Sequence, residues 1–176
     1  MQHSQIAEGD LMSLTAKAKK FAVVNIRKIT GGKDPVRLVE DFIIRQGFDP
    51  EKCLQQKTAD SARWMIPLGN EEELEVLAEN LKTVNDTTIY MGVNVLTVPI
   101  RGSTDILAAA LQIADALVGI KLSLVGHYLV LSASVSAAGI SVEEIEYYYK
   151  LIHAQQAWFK ETLSEELGWE SFPEDA

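Results

Sequence analysis

The residues with the most reactive side chains are three histidines and one cysteine. His3 lies in the N-terminal stretch, His127 at a predicted turn and His153 on a predicted helix. None has a second ligand at the spacing of a motif such as H-E-x-x-H, which presents two imidazoles on one helix face. Cys53 is the single cysteine, so no intramolecular disulfide can form and a thiolate zinc site is excluded. We therefore predict no metal site.

Nucleophilic catalysis would need a base beside Cys53. No histidine is close to Cys53 in sequence, so the fold would have to bring His127 or His153 to it. A lone cysteine is more often a small buried hydrophobe than a nucleophile. We predict no catalytic residues and no enzymatic activity.

Two further patterns resemble functional motifs superficially. The stretch 30–33 reads Thr-Gly-Gly-Lys, like the end of a phosphate-binding loop. The pattern fails, because Arg27 occupies the position of its first glycine and Asp34 follows the lysine where Ser or Thr is required. The glutamates at 71–73 form a run, which is typical of a solvated face rather than of an acid–base pair. We therefore predict no cofactor-binding residues.

An aromatic cluster suggests binding instead of catalysis. Tyr147, Tyr148 and Tyr149 are consecutive on a predicted helix, where neighbouring side chains point about 100° apart. At most two can face the core, so at least one lies on the surface or at an interface. Tyrosine is enriched at interfaces, although the triplet could also form the rim of the core. Together with Trp158 and Trp169, Tyr147 and Tyr148 are our candidate interface residues.

Composition and charge restrict the class of protein. The chain has 176 residues, 47% of them hydrophobic, which fits one globular domain with short appendages. Residues 1–37 carry a net charge of +4, which leaves −13 for the remainder of a chain whose total is −9. So acidic a domain repels phosphate backbones, and we expect no nucleic-acid partner. No apolar stretch is long enough for a membrane span, and we expect a cytoplasmic protein.

Two helix signals open the chain. In the basic segment 1–34, Asp10 can cap a helix that begins at residue 11. Asp34 followed by Pro35 predicts a second helix, which Gly47 stops. We expect residues 48–60 to form a loop or an irregular edge.

The next signals are strands. Residues 63–68 predict a strand in which Pro67 suits an edge position. Residues 71–81 are ambiguous, because their composition favours a helix whereas their alternation also allows a strand; local reasoning favours the helix. Residues 87–98 predict a long strand with one apolar face at Ile89, Met91, Val93 and Val95.

The second half predicts a helix, a hairpin and a final helix. Ser103 or Thr104 can cap a helix that extends to Val118. Residues 122–125 and 128–135 predict a hairpin.

A capping box opens the final helix. It consists of Ser141 and Glu144, and the helix runs to about residue 166. Segregated strands and helices indicate an α+β domain over 35–167, with an antiparallel sheet on which helices pack. An acidic tail, 168–176, follows.

This order of elements resembles YbjN-like proteins, which are similar in fold to the small chaperones of type III secretion. The resemblance implies the order α-β-β-β-α-β-β-α and makes 71–81 the middle strand of a meander, which we adopt over the local preference for helix. It also implies an acidic, dimeric protein that binds an extended polypeptide. The stretches that bear the resemblance are 87–90, 96–99, 106–118, 128–134 and 140–144.

These observations favour a non-enzymatic, protein-binding domain, chaperone-like or regulatory, with a polypeptide partner and a tendency to form homodimers. The alternative is a small-molecule-sensing regulatory domain, which would need a closed apolar pocket.

Overall fold

The structure is a computed structural model that describes residues 34–69, 72–81, 86–99 and 102–169. The helix expected in the basic segment and most of the acidic tail lie outside these residues. The described elements, in chain order, are α1 (Pro35–Arg45), α2 (Pro50–Cys53), β1 (Leu54–Lys57), β2 (Ser61–Gly69), β3 (Glu72–Leu81), β4 (Asp86–Thr97), α3 (Ser103–Ala114), β5 (Lys121–Val125), β6 (Tyr128–Ser136) and α4 (Val142–Leu167).

The six described strands form one antiparallel sheet in the order β1-β2-β3-β4-β6-β5, with α1 and α4 packed on one face. The predicted α+β class with an antiparallel sheet is confirmed. The predicted order is also found, with one helix and one strand added. Residues 48–60 were expected to form a loop or an irregular edge, and they contain the edge strand β1, whose register with β2 shifts between Leu54 and Gln56. The short helix α2, which Asp49 caps, was not predicted.

Helix α1 begins where its sequence predicts. The Oδ1 atom of Asp34 accepts a hydrogen bond from the Val36 amide at 3.0 Å, and Pro35 occupies the first helical position. The helix ends before Gly47, whose φ of +86° favours glycine. Its buried side chains are Leu38, Val39, Phe42 and Ile43.

Strand β3 shows why the local preference for helix was overridden. Leu74, Val76 and Ala78 are buried, and each is paired with an apolar residue of β2 on one side and of β4 on the other. Val76, for example, lies between Trp64 and Met91. Cross-strand contacts of this kind outweigh the helix propensity of glutamate and leucine, because intrinsic propensity is a weak determinant compared with tertiary pairing. The prediction of a middle strand is confirmed.

Helix α3 differs from its prediction at both ends. Its N-cap is Gly102, which has a φ of +79° and makes no side-chain cap bond, so neither Ser103 nor Thr104 caps it. The helix ends at Ala114 instead of reaching Val118. In a continuing α-helix the Val118 amide would bond to the Ala114 carbonyl, but here it donates to the side chain of Gln155.

Pro67 was expected at an edge position, and the structure places it beyond the residues of β2 that pair with β1. Strand β2 lies inside the sheet, yet β1 pairs with it only as far as Trp64. Pro67 therefore pairs with Glu73 of β3 on one side and has no described strand on the other, which is locally the position of an edge residue.

Helix α4, the last described element, contributes its buried face to the hydrophobic core. The Ser141 hydroxyl accepts from the Glu144 amide at 3.2 Å, and the Glu144 carboxylate accepts from the Ser141 amide at 2.9 Å, which confirms the predicted capping box. Along its length α4 buries Val142, Ile145, Ile152, Gln156, Phe159 and Leu163.

Candidate interaction surfaces

Two of the predicted interface residues lie together on the outer face of α4. Tyr147 is 58% exposed and Trp158 is 38% exposed. Leu151 and Ala154 lie between them at spacings of four, three and four residues, so all four follow one face of the helix. This row, Tyr147, Leu151, Ala154 and Trp158, is called the α4 stripe below.

The other two predicted interface residues are placed differently. Tyr148 and Trp169 are partly buried and pack against the core. Tyr149 is also turned inward, with its ring edge-to-face with Phe42 at a centroid distance of 5.5 Å. The structure therefore brings Tyr147 and Trp158 to one exposed face, and does not bring Tyr148 or Trp169 there.

Polar contacts at both flanks fix the orientation of α4. The Arg45 guanidinium at the end of α1 donates to the Glu143 carboxylate at 2.7 Å. This contact raises the pKa of Arg45 and lowers that of Glu143. Further along, Lys160 pairs with Glu72 of β3. These contacts tie α4 to α1 and to β3, so the α4 stripe is held on a fixed support.

A second exposed apolar surface lies at the β5 end of the sheet. Leu124 is 51% exposed, Val125 is 56% exposed, and Tyr128, which pairs in register with Val125, is 39% exposed. These three residues are called the β5 rim. Nearby on the α3 side, Leu111 and Val118 are also largely exposed. Sequence reasoning predicted the hairpin but missed this surface, because only the strand order shows that β5 is an edge.

Among the described residues, Cys53 forms no catalytic pair with His127 or His153. Cys53 is buried at the end of α2, next to edge strand β1, whereas His127 is exposed in the β5–β6 turn at the opposite edge. Five strand spacings of about 4.8 Å separate these edges. His153 is exposed on α4, and among the described residues no hydrogen bond joins it to Cys53. Burial raises the pKa of the Cys53 thiol, which disfavours the thiolate.

A concavity lies at the end of the sheet beside α1. Its volume is about 170 Å³, and it is lined by residues such as Asp34, Asp60, Ser61, Glu79 and Thr87. It is polar and small compared with ligand pockets of about 300–1,000 Å³. No group of three or more potential metal ligands occurs among the described residues. No described helix is long and apolar enough to cross a membrane.

No family model matches the chain, and neither does any curated protein. The solved structures that are similar to it include three with a TM-score of 0.48: the HopA1-SchA chaperone–effector complex, the ExsC-ExsE complex, and the heterodimeric ExoU-SpcU complex from the type III secretion system of Pseudomonas aeruginosa. The HopA1-SchA match has 13% identity and covers 71% of this chain and 91% of that one. The ExsC-ExsE match has 13% identity and covers 80% and 95%, and the ExoU-SpcU match has 16% identity and covers 72% and 98%. Likenesses this weak do not extend to function, and membership of the YbjN-like family stays a prediction.

Proposed function

We propose that this chain is a non-enzymatic polypeptide-binding domain, chaperone-like or regulatory, that also binds a second copy of itself in the cytoplasm. The observation that supports this proposal best is the β5 rim. Among the described residues no strand pairs with the outer edge of β5, which exposes Leu124 on one face and Val125 on the other and so offers apolar area and backbone groups for pairing. Natural proteins usually protect such an edge, and an unprotected one is a template for pairing with another chain.

A second copy fits the β5 edge well. Two β5 strands that pair antiparallel around a two-fold axis would present the same residues to each other, as an isologous interface requires. Leu124 and Val125 would then lose their exposed area to the partner, and the free N–H and C=O groups would pair. The only charged residue of β5, Lys121, lies at the far end of the strand from this pair.

The self-binding part of the proposal can be tested by the mass of the particle in solution. Light scattering after size exclusion is expected to give twice the 19.4 kDa chain mass for the wild type. The double variant Leu124→Glu, Val125→Lys is expected to give the mass of one chain, because it places charge on both faces of the edge. The control is Ile44→Lys on α1, which is similarly exposed and lies on another element. A monomeric wild type, or a dimer that survives the double variant, would refute pairing through β5.

The wider proposal requires a polypeptide partner. We would use the full chain as bait in a native pull-down followed by mass spectrometry, with the β5 double variant and Ile44→Lys in parallel. The expected result is one reproducible protein partner that is retained by Ile44→Lys. A bait that recovers no protein, and that is also monomeric, would contradict polypeptide binding altogether.

The alternative of small-molecule sensing gains no support from the described residues. The pocket beside α1 is open, polar and about 170 Å³ in volume, whereas a sensing domain would need a larger enclosed apolar cavity. A ligand screen by thermal shift checks this point independently.

A further inference from the structure

The α4 stripe is a second exposed apolar surface, and it is long and narrow. Tyr147 and Trp158 are separated by eleven residues, so the row extends about 16 Å along the helix at 1.5 Å per residue. Both ends have an aromatic ring, and the middle is narrow because Ala154 is small. A helical partner that lays apolar side chains along such a row matches its length in about three turns.

The borders of the stripe are acidic. Glu143 and Glu144 precede Tyr147, and Glu161 and Glu165 flank and follow Trp158; all four glutamates are exposed. The only cation of α4 on this outer face is Lys150, and Arg45 of α1 pairs with Glu143 at 2.7 Å and lies 3.7 Å from Glu146, so the N-terminal border keeps a net negative charge. The stripe is thus an apolar row between negative ends, and a partner with positive charges at its own ends is electrostatically complementary to it.

A second copy of this chain fits the stripe poorly. If two α4 helices paired antiparallel about the centre of the stripe, Tyr147 would meet Trp158 but Glu144 would meet Glu161. If they paired parallel, each glutamate would meet its own counterpart. Both arrangements bring like charges together, which is unfavourable. Pairing of the stripe with the same stripe of a second copy is therefore disfavoured.

We infer that the α4 stripe binds an amphipathic helix of another protein, with apolar residues spaced like those of the stripe and Lys or Arg at both ends. This inference rests on the proposed polypeptide-binding function and assigns it a partner chemistry. The partner's apolar residues pack between Tyr147 and Trp158, and its basic residues lie beside the glutamates.

The test uses two synthetic helical peptides of roughly four turns with the full-length chain. Both carry leucine at positions i, i+4, i+7 and i+11; one has lysine at its two ends and the other has glutamate. Fluorescence polarisation is expected to show at least ~10-fold tighter binding of the lysine peptide, and the preference is expected to shrink as salt is added.

Two sets of variants locate the binding. Trp158→Ala is expected to weaken binding of the lysine peptide by ~30-fold, as for an aromatic anchor, and Tyr147→Ala by a smaller factor. Leu111→Ala on α3 is the control, since that side chain is apolar and, at 68%, more exposed than Trp158 but lies on another helix. The double variant Glu161→Lys, Glu165→Lys is expected to abolish the preference for the lysine peptide without removing any apolar contact, because one end of the stripe then favours lysine and the other favours glutamate.

The outcomes are distinct. Equal binding of the two peptides, binding that survives Trp158→Ala, or no binding of either peptide would overturn the inference. A dimer of the wild type that dissociates on Trp158→Ala would also overturn it, in favour of self-pairing through α4. If the peptides fail while dimerisation through β5 is intact, the inference falls and the proposed function stands.

Discussion

The side-chain amide of Gln155 on α4 binds both polar backbone atoms of Val118, in the connection between α3 and β5. Its Nε2 donates to the Val118 carbonyl at 2.7 Å, and its Oε1 accepts from the Val118 amide at 3.1 Å. The side-chain amide thus makes with Val118 the pair of hydrogen bonds that a residue on a neighbouring β-strand would make. This double contact ends α3 early, holds the connection against α4, and places exposed Val118 beside the stripe.

Replacing Gln155 by alanine is expected to loosen this connection. Two hydrogen bonds are lost, each worth about 1 kcal/mol net, and water can replace part of that because the region is accessible. We expect a loss of roughly 1–2 kcal/mol in the free energy of unfolding, measured by urea denaturation. Hydrogen exchange of the Val118 amide is expected to become faster. The same change at exposed Gln112 on α3 is the control, and equal effects at the two positions would contradict this role for Gln155.

Ser141→Ala tests the capping box. The variant removes the hydroxyl that accepts from the Glu144 amide, and the expected cost is about 1 kcal/mol in the free energy of unfolding. Ser141→Thr keeps the hydroxyl and is expected to restore most of the loss. An alanine variant as stable as the wild type would show that the first turn of α4 does not depend on this cap.

Gln156 is a polar residue in a core position of α4. It is 2% exposed, and its Nε2 has no hydrogen-bond partner among the described residues. Because a buried unpaired amide costs free energy, Gln156→Leu is expected to raise the free energy of unfolding by roughly 1–2 kcal/mol. The comparison is Gln112→Leu on the exposed face of α3, which is expected to change it by less than about 0.5 kcal/mol. A destabilised Gln156→Leu variant would indicate that the amide makes a necessary contact.

Much of the fold was predictable because its signals are local. The caps at Asp34 and Ser141 lie within three residues of the amides they bind, so a short window of sequence contains them. Strand β3 could not be predicted from a short stretch of sequence, since pairing with two other strands decides that this segment is a strand. There the resemblance of the whole pattern corrected a local preference.

The interaction surfaces were less predictable, because exposure depends on the whole fold. Helical geometry indicated that one residue of the tyrosine triplet must be exposed, but only the direction of the core identifies Tyr147 as that residue. The β5 rim depends on strand order. The contact between Gln155 and Val118 joins residues 37 positions apart, and no local sequence pattern predicts it.

On the sheet face opposite α1 and α4, the ring of Tyr90 lies over Gly92, its second neighbour along β4. A Cβ atom added at Gly92 would collide with the Tyr90 ring and hydroxyl. Beneath them Ser132 of β6 is buried and hydrogen-bonded to Tyr90. Burial, and secondly the charge of Glu75, raise the pKa of Tyr90, and the bond from Ser132 opposes this only in part.

Gly92→Ala is therefore expected to push the Tyr90 ring into water. We expect a loss of about 1 kcal/mol in stability, since the crowding cost exceeds the entropy gained by removing a glycine. The pKa of Tyr90 is expected to fall towards the ordinary value, and NMR of ring-labelled tyrosine measures it directly. An unchanged pKa of Tyr90 in Gly92→Ala would show that the ring does not depend on the glycine.

The same contact predicts how stability depends on alkaline pH. Because the pKa of Tyr90 is higher in the folded state than in the unfolded state, its contribution to stability is complete below the unfolded pKa of about 10 and is lost as pH rises through the folded pKa. Urea denaturation across this range is expected to show a shallower decline for Tyr90→Phe than for the wild type. Tyr147→Phe, at an exposed position, is expected to follow the wild type. Coinciding curves for the wild type and Tyr90→Phe would mean that the folded state does not hold Tyr90 in its neutral form.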